Sequence, residues 1–177
     1  WSWSRGLGDV YKRQIVDFVN KESNNFNTNE GYPLTYTPFI ISSVVRALKD
    51  HPEMNSSISN DMINYHKNIN IGLAVSVEDG LMVPVLKNCE EKNFLGICRS
   101  INTTTGRTRE GVIGPEELSG STFTVSNFGV FGVSMGTPII NQPNVGVLGV
   151  GAIKKQPVVV EVSGCDSIAI RSMMILT

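Results

Sequence analysis

The residues with candidate chemistry cluster late in the chain, in GSTFTVSNFGVFGVSMGTPIINQP, from Gly120 to Pro143. Thr122, Phe123, Thr124 and Val125 alternate polar and apolar as a strand does, delivering Ser126 and Asn127 to the point where glycines begin. Gly129, Gly132 and Gly136 allow the backbone to turn tightly or to approach a ligand closely. A hydroxyl followed by a carboxamide at a strand end can donate hydrogen bonds to a developing oxyanion. By spacing alone, the same residues also fit a plain structural turn. Both readings stand at this point.

Other reactive residue types are sparse. Cys89, Cys98 and Cys165 are far apart and form no CxxC pair, so no metal site is read from spacing, and an odd thiol count suits a reducing compartment. Gly146, Gly149 and Gly151 resemble a dinucleotide fingerprint only loosely, because they lie in a strand pattern instead of a strand-to-helix turn. His51 stands before a proline at a helix end and His66 lies in a short strand before Lys67, so both read as surface histidines. The formal net charge of −1, with no dense Lys/Arg block, argues against nucleic acid or an anionic membrane as partner. No apolar run approaches the roughly 18 residues of a membrane helix, and the N-terminus lacks a secretory signal pattern. At 177 residues, 41% hydrophobic and 18% charged, the chain is long and apolar enough for one folded domain with a core.

The elements that must position Ser126 follow from periodicity. Residues 1–14, with both tryptophans and no regular pattern, read as a non-native or irregular leader; residues 15–177 read as a partial catalytic domain. Ile15, Phe18 and Val19 predict the end of an amphipathic helix, followed by an Asn-rich loop from Ser23 to Gly31. Thr37 and Pro38 start a helix whose core face is Phe39, Ile40, Ile41, Val44, Val45 and Leu48, closed by His51-Pro52. Strands are expected over residues 54–59, 62–66, 70–77 and 81–86, the last two joined by a tight turn at Glu78-Asp79-Gly80. A helix over residues 93–109 buries Phe94, Ile97 and Ile101, and its Thr103-Thr104-Thr105 run must be held by packing. Strands follow over residues 121–126, 145–153, 157–162 and 168–176, with a hairpin turn at Ser163-Gly164. Helices and strands mix without regular alternation. The expected fold is therefore α/β, a two-layer sandwich with a mixed sheet. The chain stops at Thr177 within an apolar stretch, as a truncated domain would.

Five collinear blocks then carry a family resemblance. They are LTYTPFIISSVVRALKDHPEMNSSIS, INIGLAVSVEDGLMVPVLKN, GPEELSGSTFTVSNFGVFG, GTPIINQPNVGVLGVGAIKKQPVV and IAIRSMMILT. In this order they resemble the catalytic domain of dihydrolipoamide acyltransferases, the acyltransferase component of 2-oxoacid dehydrogenase complexes, which shares its fold with chloramphenicol acetyltransferase.

The resemblance implies transfer of an acyl group from lipoamide to coenzyme A. A histidine takes the coenzyme A thiol proton, and the hydroxyl matching Ser126 hydrogen-bonds the tetrahedral oxyanion. Thr35, Ser76, Thr105, Asn127, Gly151 and Ile153 fall where the family contacts coenzyme A. Lipoamide would arrive as a substrate carried covalently on a lipoyl domain absent from this chain. The implied partners are two further copies in a homotrimer that assembles into a larger core, plus the oxoacid decarboxylase and dihydrolipoamide dehydrogenase of the complex. The implied location is cytoplasmic in a bacterium and the mitochondrial matrix in a eukaryote. The family's base lies in an HxxxDG-type motif that this sequence does not contain, and Lys21 stands near a position where the family often has a cofactor-holding arginine. The alternatives are a non-catalytic core subunit and a free-standing chloramphenicol-type acetyltransferase. Ser126 leans towards acetyl or branched-chain groups, while GVFGVSMGTPIIN looks closer to the succinyl type.

Overall fold

A computed structural model describes residues 7–162 and 164–177, with side chains from Gln14 onward. The chain divides into two compact units. The unit that carries Ser126 comprises Thr37–Asn127 and Thr137–Gly149. Helix α2 (Thr37–Asp50) begins with Pro38 in its first turn and buries Ile41, Val44, Val45 and Leu48, the spacing expected of one helical face. Helix α3 (Phe94–Arg109) starts at Asn93, whose side chain accepts from the Gly96 amide at 2.8 Å. The two helices pack together through Phe39 and Phe94, with ring centroids 4.6 Å apart. The threonines of α3 bond inside their own helix, Thr105 to the Ile101 carbonyl at 2.7 Å and Thr108 to that of Thr104 at 2.7 Å.

Strands β1 (Ser56–Ser59) and β2 (Met62–Tyr65) form an antiparallel ribbon with Ile58 opposite Ile63. The long strand expected over residues 70–77 is split. Ile71–Leu73 form β3 and Val75–Val77 form β4. Its expected partner over residues 81–86 is split as well, into β5 (Gly80–Met82) and β6 (Val85–Leu86). Pro84 is the physical reason, because it has no N–H for a continuous ladder; its carbonyl accepts from the Leu73 amide at 2.9 Å. The turn at Glu78-Asp79 is as expected, with Val77 opposite Gly80 and Gly80 at φ +141°. The central sheet has the order β6-β3-β7-β8, where β7 is Phe123–Asn127 and β8 is Val147–Val150. Strand β3 runs antiparallel to β6 and parallel to β7, so the sheet is mixed as expected. Helix α3 packs on β6 and β4, and Ile71, Leu73, Leu86, Ile97, Phe123 and Val125 are buried. Ile71 and Val125 are fully so.

The other unit holds helix α1 (Leu7–Glu30), the segment Phe128–Gly136, and Val150–Thr177. The Asn-rich stretch expected as a loop is helical up to Glu30, and α1 begins within the segment set aside as a leader. Asparagine costs only a few tenths of a kcal/mol per helical position, so local bonds and packing override it. Thr28 bonds the Asn24 carbonyl at 3.0 Å, and Phe26 meets Tyr32 edge-on at 5.4 Å. Gly31, at φ +79°, terminates the helix. Val19 is buried as expected, but Phe18 is 49% exposed. Strands β9 (Lys154–Val162) and β10 (Cys165–Met173) form an antiparallel hairpin against which α1 packs. Its turn has Gly164 at φ +81°, while Ser163 lies outside the described residues. The last strand ends at Met173 instead of residue 176; Leu176 then bridges to Val150, and the Gly151 amide donates to the Ile175 carbonyl at 2.9 Å. Among the described residues, no helix is long and apolar enough to cross a membrane.

Candidate active site

Ser126 stands next to last in β7, the strand flanked by β3 and β8. Asn70 fixes where β7 begins: its amide donates to Thr122 Oγ1 at 3.0 Å, and its carbonyl accepts from the Thr122 amide at 2.8 Å. Parallel pairing then sets Gly72 beside Thr124 and Leu73 beside Val125, and the Ala74 amide donates to the Val125 carbonyl at 3.0 Å. Burial falls along the strand, from Phe123, Thr124 and Val125 in the core to half-buried Ser126 and Asn127. Ser126 therefore emerges where a rigid, doubly paired strand leaves the core. Among the described residues its hydroxyl has no hydrogen-bond partner, so it is available to a ligand.

Asn127 does something different. Successive strand residues project to opposite faces, so the Ser126 hydroxyl and the Asn127 carboxamide do not form one donor pair. Asn127 Nδ2 instead reaches Thr37 Oγ1 at 3.4 Å, linking the end of β7 to the start of α2. Of the other residues picked from the sequence, Ser76 lies exposed on β4, opposite Leu81. Thr105 is half-buried on α3 and donates its hydroxyl to its own helix. Both belong to the unit of Ser126. Thr35, Gly151 and Ile153 belong to the other unit, where Thr35 is exposed, Ile153 half-buried and Gly151 buried. A Cβ on Gly151 would stand 2.0 Å from the Ser134 carbonyl oxygen, so backbone packing alone requires glycine there.

Neither histidine is near β7 in its bonding. His51 is exposed with Nδ1 3.4 Å from Glu53. His66 is less of a surface residue than expected, being half-buried with Nε2 3.1 Å from the Ser57 hydroxyl. Lys21 is exposed on α1. Burial pushes the Cys89 thiol above its ordinary range, partly offset by a backbone hydrogen bond at Ile71 and by Lys92. It is an inert core residue. Among the described residues no group of three or more His, Cys, Asp or Glu side chains is placed to hold a metal ion.

One polar residue of this unit escaped the sequence reading. Asn144, 5% exposed, donates Nδ2 to Thr124 Oγ1 at 2.7 Å and to Ser121 Oγ at 3.2 Å. It sits in the irregular NQPN stretch, where no periodicity marks a buried side chain.

The arrangement can present one hydroxyl donor from a fixed strand end, and comparison with known proteins gives that donor a context. The sequence matches 2-oxoacid dehydrogenases acyltransferase (catalytic domain) over residues 8–177. It is 37% identical over 96% of its length to the dihydrolipoyllysine-residue acetyltransferase component of the pyruvate dehydrogenase complex of Corynebacterium glutamicum, covering 26% of that protein. It is 40% identical over 98% of its length to the lipoamide acyltransferase component of the branched-chain alpha-keto acid dehydrogenase complex of Bacillus subtilis, covering 40%. The succinyltransferase component of the Haemophilus influenzae 2-oxoglutarate dehydrogenase complex is 39% identical over 96% of this chain, which covers 41% of it. The chain thus spans between 26% and 41% of the length of these relatives.

Among solved structures, a probable dihydrolipoamide acetyltransferase from Listeria monocytogenes matches with a TM-score of 0.85 and 40% identity, over 92% of this chain and 68% of that one. A dihydrolipoamide acetyltransferase from Azotobacter vinelandii, studied for the role of a serine, a histidine and an asparagine in its catalytic mechanism, matches at 0.84 and 30% identity. So does the cubic core of a pyruvate dehydrogenase multienzyme complex; both cover 92% of this chain and 66% of theirs. Agreement in sequence, extent and three-dimensional course shows that this chain belongs to the catalytic-domain family of the 2-oxoacid dehydrogenase acyltransferases.

Proposed function

We propose that the protein transfers an acyl group from acyl-dihydrolipoamide to coenzyme A as the acyltransferase component of a 2-oxoacid dehydrogenase complex, with Ser126 as oxyanion donor. The observation that carries this reading is the half-buried Ser126 hydroxyl, which projects from the end of β7 without a described protein partner in a chain that matches the family almost throughout. Thioester exchange between two thiols is nearly isoenergetic, so the protein's contribution is positioning, proton transfer and stabilisation of the oxyanion. The coenzyme A thiol gives its proton to a base, and its sulfur attacks the thioester carbonyl. Ser126 donates to the resulting oxyanion. Collapse then releases dihydrolipoamide, whose thiolate takes up the proton, and acyl-coenzyme A. No HxxxDG-type histidine occurs in these 177 residues, and neither His51 nor His66 takes the role.

Coenzyme A and lipoamide are co-substrates in this reading. The exposed hydroxyls of Ser76 and Thr35 suit polar contact with coenzyme A; Thr105, Asn127, Gly151 and Ile153 complete the set inferred by resemblance, although Thr105, Asn127 and Gly151 already have structural work. The proposed partners are further copies of the chain in a trimer that builds a larger core, together with the decarboxylase and dihydrolipoamide dehydrogenase components. The β9–β10 hairpin supports self-association. Val159 and Ile168 are directly opposed, with Ile170 on the same face, and they are 69%, 80% and 69% exposed. The structurally similar cubic core of a pyruvate dehydrogenase complex favours a second copy as occupant.

The test is to supply the full-length protein with coenzyme A and with acetyl-, branched-chain acyl- or succinyl-dihydrolipoamide, following acyl-coenzyme A by chromatography. Product from one donor in clear preference is expected. Absence of product from all three would contradict the reading.

A further inference from the structure

Asn144 is a buried carboxamide whose hydrogen bonds go to Thr124 of β7 and to Ser121, two residues before that strand. Nδ2 donates to Thr124 Oγ1 at 2.7 Å and to Ser121 Oγ at 3.2 Å, while Oδ1 is buried with no partner among the described residues. Thr124 and Ser126 are two residues apart on one strand, so their side chains leave β7 on the same face, about 7 Å apart. The Thr124 side chain lies over Gly72, its cross-strand neighbour; a Cβ there would come within 3.2 Å of Thr124 Oγ1 and 3.0 Å of Val83. The glycine thus leaves space on that face for Thr124, and Asn144 clamps the threonine hydroxyl from the returning chain.

We infer that Asn144 is a positioning residue, holding the Ser126 face of β7 at fixed height and orientation through Thr124. The inference rests on the oxyanion role proposed for Ser126. Burying a carboxamide is costly unless its hydrogen bonds are made, and an apolar side chain of similar size would fill the site without that cost. The clamp holds the residue two places before the one hydroxyl that must be placed within tenths of an ångström, on the same face of β7.

The test uses the full-length acyltransferase with Asn144→Ala made both alone and in a Ser126→Ala background. If Asn144 acts through Ser126, the single change lowers kcat about tenfold with KM for coenzyme A within about twofold, and the further loss in the Ser126→Ala background shrinks below about twofold. A purely structural residue would lower activity by the same factor in both backgrounds, and that result would overturn the positioning role while leaving Ser126 in place. Thr124→Val, which keeps the shape and removes the hydroxyl, provides the same comparison should Asn144→Ala not fold. Unchanged turnover in Ser126→Ala itself would remove the donor and the positioning role together.

Discussion

Gly151 and the Ser134 carbonyl oxygen are so close that a single added Cβ would stand 2.0 Å from that oxygen, far inside contact distance. The same approach recurs between Gly129 and the Gly151 carbonyl, where the distance would be 2.6 Å. Gly129 and Gly151 thus let the Phe128–Gly136 segment lie backbone to backbone against the chain at Gly151. Gly151→Ala is expected to destabilise the protein by about 3 kcal/mol or more, since the obstacle is backbone that cannot rotate away. Thermal unfolding measures this, and a melting temperature equal to that of the parent would refute it.

The sheet core makes a second prediction. Ile71 is fully buried in β3, between β6 and β7. Ile71→Ala should lose about 2–5 kcal/mol, from lost transfer energy and the cavity left behind. Urea denaturation would show this as a lower midpoint at unchanged slope. A loss below about 1 kcal/mol would mean the strand relaxes around the gap.

Cys89 gives a pH dependence. Burial raises its thiol above the ordinary range, so the folded state holds the proton more tightly than the unfolded chain. A raised pKa gives stability that is complete below the unfolded value and is lost as pH rises through the folded one. Unfolding free energy should therefore decline above about pH 8.5, and Cys89→Ala should flatten that decline. An aromatic disulfide reagent should modify exposed Cys165 rapidly, and buried Cys89 and Cys98 only after unfolding. Rapid reaction of all three thiols in the native protein would contradict this.

The parts of the fold that were legible are those where local chemistry and tertiary packing agree. Helix α2 shows its core face at helical spacing and its start in Thr37-Pro38, and the turns at Glu78-Asp79 and Gly164 announce themselves through residues that suit positive φ or tight reversal. Helix α1 beyond Ser23 was hidden, because its asparagines read as loop while the contact of Phe26 with Tyr32 helps hold them helical. The break between β3 and β4 had a visible cause in Pro84, whose missing N–H interrupts the ladder, but where the chain switches partners, with the Ala74 amide turning to the Val125 carbonyl, is not revealed by spacing. At the site, Ser126 was visible because an alternating strand runs straight into glycines. Its separation from Asn127 onto opposite faces follows from strand geometry, but only once both residues are known to lie inside β7. Asn144 left no signal: a buried amide in an irregular loop looks like any polar turn residue.

The central claim is that the Ser126 hydroxyl stabilises negative charge on the thioester oxygen, and Ser126→Ala measured by steady-state acyl transfer to coenzyme A tests it most directly. The side chain is half-buried with no described hydrogen bond, so stability should change by no more than about 0.5 kcal/mol. Removing one oxyanion donor should lower kcat about 10²–10³-fold with little change in KM. A folded Ser126→Ala protein that turns over within about twofold of the parent would contradict the account.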